Sequence, residues 1–531
     1  MNKPLKVLSL FALSLSLTSC MAIISRIRNR TSSEEESSSS QIISSSSSEE
    51  ESSSSYTPSS SEGTSEHSES SESSSESSSH SSEQESSSES SSESSSQSSS
   101  QSSSQSSSSS SQSSSEEDEK AAWTIMFYVC GADLESQSYA GTEYAGYGYN
   151  GGNRAGYASQ DIDEVLSVNK PSNVNIIFET GGAKYWARSD LESHKNKLAR
   201  WYVNDSNNLG FDSEVSYASM GKSSTFQSFL EWGFEEYPAD RYAVFMWNHG
   251  GALGGVCYDE KSSDDSLTAD EIDTALKNAK KNKKVNDNLA FIAYDACLMA
   301  VQDIAEINSH YFDYMVCSQE SEYAGGYDYD MWLPTLYADP ENVSTEDVCV
   351  SIASTFMDEQ NGAAQEYNEA YGLDSNDDDY WPFDQTQSVL DLSKMAAYKD
   401  AFETFAQQLY NSSAATSTKV RNAVNKAHQY GYDSDYGYTF EVFDIKDCMN
   451  QINSSINGMS TYTNAVINKL NDLIVYEDHG KDTDGCGLNL FYPMVGAFTQ
   501  DEYESQTNFT NWFNLVTKSG YGTWYSGGYS W

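Results

Sequence analysis

Five short apolar runs between residues 123 and 317 constrain the fold more than any other feature. They are 123–129 (WTIMFYV), 174–180 (VNIIFET), 242–248 (YAVFMWN), 289–296 (LAFIAYDA) and 313–318 (DYMVCS). Each is near-continuous rather than alternating, the pattern of a strand covered on both faces. Helical periodicity separates them at 158–168, 223–236, 268–279 and 298–307, and Thr268 with Glu271 reads as a capping box. Strand–helix alternation of this kind predicts an α/β sandwich around a mainly parallel sheet. Beyond about Trp332 the pattern turns mainly helical, at 345–359, 392–411, 417–430 and 461–475. A late apolar segment, 487–493 (GLNLFYP), is expected to rejoin the first sheet. No internal repeat accompanies these elements. The expected organisation is therefore a core over 119–332 and a helical region over 333–531.

The residues before this core are of a different kind. Of the 90 positions from 31 to 120, 54 are Ser and 19 are acidic, too few of them apolar to offset the entropy of ordering a chain. Residues 121–531 carry 61 acidic and 24 basic residues, within a chain whose net charge is −50. Nucleic acid is excluded as a partner, because neutralising phosphates requires Lys and Arg. Basic peptides and divalent cations suit such a surface.

The chain opens MNKPLKVLSLFALSLSLTSC. Lys3 and Lys6 precede an apolar stretch from Val7 to Leu17, too short to span a membrane and suited to a secretory signal. Leu17-Thr18-Ser19-Cys20 resembles the bacterial lipoprotein box, which makes Cys20 the expected lipidated N-terminus after removal of 1–20. Residues 21–118 then read as a tether with a reach of about 50 Å as a flexible coil. A plain signal peptide followed by a solubilising tail is the alternative. Both place the protein outside the cytoplasm, and the first places it on the outer face of a bacterial cell membrane.

Eight cysteines are present, without CxxC pairs or zinc spacing, so a disulfide scaffold is not expected. Two strand ends carry chemistry instead. The run 242–248 leads into His249-Gly250-Gly251, and the run 289–296 ends in Asp295-Ala296-Cys297. Ligands of open α/β sheets sit at the carboxyl ends of the strands. His249 and Cys297 are 48 residues apart, close to the spacing of caspase-type Cys/His sites. A thiolate at Cys297 can attack a carbonyl, and an imidazolium at His249 can stabilise that thiolate and protonate a leaving amine. Cys297 is expected at the start of a helix whose dipole favours the anion. The backbone N–H groups of Gly250 and Cys297 are the candidate oxyanion donors. Asp295, two residues before Cys297 in an extended segment, faces the same side.

These pieces (WTIMFYVCGADLE, WNHGGA, YDACLMA and SQESEY, in that order) resemble the clostripain family of cysteine endopeptidases, of the caspase-like clan. The resemblance implies a caspase-like α/β/α fold, with Cys297 as nucleophile and His249 as catalytic histidine. It implies that Asp295 lines the specificity pocket and selects Arg or Lys before the cleaved bond, a task suited to a carboxylate that can grip guanidinium in a fork. The implied activity is hydrolysis of peptides and proteins after Arg or Lys through a thioester, with no cofactor for bond breaking. Two other readings stay open: a non-catalytic adhesin or glycan binder on the same scaffold, and a transpeptidase using the same acyl-enzyme.

Three further features are expectations only. Members of the family depend on calcium, and 374–379, 433–435 and 482–485 are acidic turns; the first lacks Gly at its sixth place, where Asp379 stands, and Glu at its twelfth, where Gln385 stands. Members are often activated by self-cleavage between the His and Cys strands, for which Lys261 in YDEKSSDDS is the candidate. The Tyr/Gly-rich insertion 139–157 reads as a mobile loop or as an extended binding surface at the cleft rim.

Overall fold

The structure, a computed structural model, describes residues 120–524 apart from 143, 378, 432–438 and 519. Cys20, the signal sequence and almost all of the Ser-rich tract lie outside these residues. All five apolar runs are strands of one nine-stranded sheet. In chain order its members are β1 (Ala121–Cys130), β2 (Val174–Gly181), β3 (Lys197–Val203), β4 (Leu209–Ser216) and β5 (Ala239–Trp247). They are followed by β6 (Leu289–Asp295), β7 (Phe312–Cys317), β8 (Thr386–Asp391) and β9 (Ile474–His479). Across the sheet the order is β9-β8-β7-β6-β5-β1-β2-β3-β4. The five strands from β7 to β2 are parallel, and antiparallel pairs extend the sheet on each side.

The continuous apolar runs have a direct cause. Trp123, Ile125, Phe127 and Val129 of β1 point into one buried core; Met126, Tyr128 and Cys130 point into the other. The first core is closed by helices Tyr157–Ser167, Tyr329–Ala338 and Thr345–Tyr371. The second is closed by Ser223–Glu236, Ala269–Lys283 and Met395–Asn411. Because helices cover both faces, both sets of alternate side chains are mainly apolar. This is the α/β/α sandwich expected, and the capping box of Thr268 with Glu271 is formed.

Two details of the sheet differ from expectation. β3, β4, β8 and β9 were not legible as strands. β4, at one edge, alternates exposed polar residues with half-buried ones and forms no apolar run. The late strand, Asn489–Phe491, does not rejoin the large sheet. It pairs with Val442–Asp444, which pairs in turn with Gln429–Tyr430, in a separate three-stranded sheet. Its contribution is to brace a loop: Asn489 N–H donates to the Ala300 carbonyl (2.7 Å), three residues after Cys297.

Candidate active site

Parallel pairing of β5 with β6 sets Trp247 opposite Asp295. Both chains then leave the sheet at the same level, so that two residues later each presents a functional side chain, His249 and Cys297. Asn248 fixes the first turn. Its Nδ2 donates to the Cys130 carbonyl (2.7 Å), and its Oδ1 accepts the Tyr258 N–H (2.7 Å) from the hairpin formed by Val256–Asp259 and Asp265–Leu267. The two turns touch at Gly250, where a Cβ would lie 2.0 Å from the Cys297 carbonyl oxygen. This glycine is required for the closeness of approach rather than for an unusual φ.

The cleft between the turns is small and partly open, and is lined by Leu134, His249, Asp295, Cys297 and Glu322 among others. His249 and Cys297 are both buried, with 4% and 5% of their surface exposed. The His249 Nε2 lies 2.8 Å from Asp133 Oδ1. The Cys297 Sγ accepts the Glu322 N–H at 3.3 Å and lies 3.6 Å from the Glu322 carbonyl.

Asp133 was missed as a site residue. The signal was present in GADLE, directly after the first strand, but nothing in the sequence indicated that its carboxylate reaches the histidine.

One expectation about Cys297 is corrected. No helix begins there, because residues 296–301 form a loop with Leu298 at φ +64°, and the helix Gln302–Asn308 starts five residues beyond Cys297. Cys297 therefore gains no helix dipole; the Glu322 N–H is the donor at its sulfur instead. Non-glycine residues with left-handed backbone cluster around this edge of the sheet: Ala132, Ala252, Cys257 and Leu298. Such conformations cost about 1–3 kcal/mol each and persist where packing determines them. Ala132 immediately precedes Asp133, and Leu298 immediately follows Cys297.

Asp295 faces the cleft as expected. Its Oδ2 accepts the Tyr327 N–H (3.2 Å) and the Tyr329 hydroxyl (2.6 Å). Burial pushes its carboxyl up to about 6 although both donors oppose the shift. Gly326, at φ +62°, lies against it; a Cβ there would come within 2.7 Å of Oδ1. No Lys or Arg is among the described residues lining the cleft.

Lys261 is not among the residues lining the cleft. It sits in the turn Glu260–Ser262, its N–H on Asp259 Oδ1 (2.9 Å), its ammonium donating to the Lys195 carbonyl and lying 4.2 Å from the Tyr217 ring centre. Cleavage after it requires this turn to open. The insertion is laced into the fold: Tyr139 is buried, Arg154 donates to the Ser136 carbonyl (2.8 Å), and its guanidinium stacks over Tyr185 at 4.2 Å.

In two of the acidic turns, Asp374 accepts the Asn376 N–H and side-chain amide and donates its own N–H to Asp377, while Asp482 accepts the Tyr380 hydroxyl and the Phe383 N–H from a distant part of the sequence. Among the described residues no group of three or more His, Cys, Asp or Glu side chains is arranged to hold a metal. Residues 433–435 lie outside the described residues. No disulfide joins the described cysteines.

The profile of the clostripain family matches residues 147–531, more than two thirds of the sequence. This chain belongs to the clostripain family. It is 24% identical over 355 residues to clostripain from Hathewaya histolytica, covering 59% of this chain and 65% of that protein. It thus spans just under two thirds of the relative's length. Its fold is similar to a secreted cysteine protease from Bacteroides thetaiotaomicron solved with an irreversible peptide inhibitor, with a TM-score of 0.51 at 17% identity. That superposition covers 75% of this chain and 99% of the other.

The contact between the two turns predicts the effect of filling it. Gly250→Ala should lower unfolding stability by about 1–3 kcal/mol, because the obstruction is backbone and cannot swing aside. Gly362→Ala, inside the helix Thr345–Tyr371 with nothing near its Cβ, should raise stability by about 0.5–1 kcal/mol. Urea unfolding of the two variants beside the wild type checks both signs.

Proposed function

We propose that this chain is a cysteine endopeptidase that hydrolyses peptide bonds after Arg or Lys. The Cys297 thiolate attacks the scissile carbonyl, and the developing oxyanion is met by the N–H groups of Gly250 and Cys297. With Nε2 held by Asp133, the remaining ring nitrogen of His249, Nδ1, is the one that serves the cleft. The imidazolium gives its proton to the leaving amine, and water then attacks the thioester while His249 takes a proton from it. Asp133 acts as a positioning residue.

The observation that carries the specificity is the buried Asp295 carboxyl in the same cleft as the Cys297 thiol, with no basic residue among the described lining groups. An acid that is costly to ionise in isolation is stabilised when a guanidinium or ammonium group enters beside it. The family membership agrees with this reading, and the acidic surface suits cationic substrates.

With the Asp295 carboxyl at about 6, most of it is protonated and neutral at pH 5 and ionised at pH 7. The kcat/KM for peptides with Arg at P1 should therefore rise through this interval more steeply than for peptides with a neutral P1 residue. Asp295→Asn should lower kcat/KM for Arg peptides about 100-fold, the scale of a charge-assisted hydrogen bond to a buried partner. Fluorogenic peptides ending in Arg, Lys, citrulline and Leu measure both effects. A preference for Leu, or an Asp295→Asn enzyme with unchanged Arg preference, contradicts the assignment.

The same reading has the enzyme anchored on the outer face of the cell membrane through lipid on Cys20, with the Ser-rich tract as tether. In fractionated bacterial cells the wild type should sediment with membranes and Cys20→Ala should not. Equal distribution of the two proteins would rule out the anchor.

A further inference from the structure

Glu322 follows β7 in the SQESEY segment and shares the cleft with Asp295 and Cys297. It is 4% exposed. Its Oε1 accepts the Gln387 side-chain amide from β8, while Oε2 is buried and has no hydrogen-bond partner. Its own main chain brackets the Cys297 sulfur, so its backbone cannot move away without disturbing the nucleophile. Burial first, then the proximity of Asp295 and Cys297, hold its carboxyl well above the usual carboxylate range, although the Gln387 amide and the Ala296 N–H oppose the shift. An unsatisfied acid at such a place costs free energy that hydrophobic packing would not cost.

Asp295 alone is a poor receptor for a full cation. Its Oδ2 is already engaged by Tyr327 and Tyr329. A guanidinium carries five N–H donors and an ammonium three, more than its remaining oxygen can accept. Glu322 lines the same cleft as a residue, and its carboxyl, close enough to Asp295 and Cys297 to interact with both, offers Oε2 as the further acceptor.

We propose that Glu322 is a second specificity-determining carboxylate, so that the P1 cation is held between Asp295 and Glu322. This rests on the Arg/Lys reading above. Entry of the cation favours the ionised form of both acids, and any proton still held, on Glu322 above all, passes to solvent. The guanidinium, with its fixed fork, spans two separated acceptors better than an ammonium does. Arg is therefore expected to depend on Glu322 more than Lys does.

The test compares kcat/KM for Arg, Lys and citrulline peptides in the wild type, Glu322→Gln and Glu322→Asp, each shown to be folded by circular dichroism melting. The Arg-over-citrulline ratio should fall about 10–100-fold in Glu322→Gln, mainly through KM, as expected for loss of a charged hydrogen bond. The Lys ratio should fall less, and Glu322→Asp should lie between Gln and wild type. If all three substrates lose equally, or the Arg ratio is unchanged, Glu322 serves only to support Cys297 and the assignment is wrong. A wild type that shows no preference for Arg over citrulline would instead overturn the cationic P1 reading itself, and this proposal with it.

Discussion

The site depends on one backbone register. Trp247 pairs with Asp295 across neighbouring parallel strands, and the glycine three residues past Trp247 rests on the carbonyl of Cys297. Parallel strands leave a sheet in the same direction, so side chains separated by 48 residues of sequence arrive at one cleft without any long-range loop to position them. A slip of one residue would turn the alternate side chains of β6 to the other face. The cores on both sides of the sheet prevent that slip, since Phe127 alone packs against Phe178, Phe245 and Tyr329 at 4.8, 4.7 and 5.5 Å.

Electrostatics at this edge follow from the same burial. Asp295, Glu322 and, behind the Trp247 indole, Asp161 are all buried acids, and burial raises each carboxyl. Tyr327, Tyr329, Gln387 and Trp247 supply neutral donors to them. Neutral donors satisfy oxygens but do not balance charge. These acids thus carry no basic partner among the described residues lining the cleft. Cys297 is arranged in a different way, with a main-chain N–H on its sulfur, while the His249 imidazole lining the same cleft is held at Nε2 by Asp133.

What was legible in the sequence was what burial dictates. The five strands buried on both faces appeared as unbroken apolar runs, and their ends and the turns after them carried His249, Asp295 and Cys297 into one cleft. Elements satisfied by their edges or by partners far along the chain were not legible. β4 mixes polar and apolar residues because solvent reaches it, and Asn489–Phe491 is too short to declare which sheet it joins. The expected helix at 298–307 begins only at Gln302 because Leu298 takes a left-handed conformation that apolar periodicity does not register. Asp133 and Glu322 fall in the GADLE and SQESEY segments, which the sequence left without individual roles. Only the fold shows one against an imidazole and the other against a thiol.

The central claim is that His249 and Cys297 form one reactive unit beside an acidic pocket. Its most direct test is labelling with a peptidyl-arginine chloromethyl ketone, followed by mapping of the modified peptide by mass spectrometry. A single adduct on Cys297, formed rapidly in the wild type and slowly in His249→Ala, is the expected result. No adduct, or label on another cysteine at a rate indifferent to His249, would contradict it.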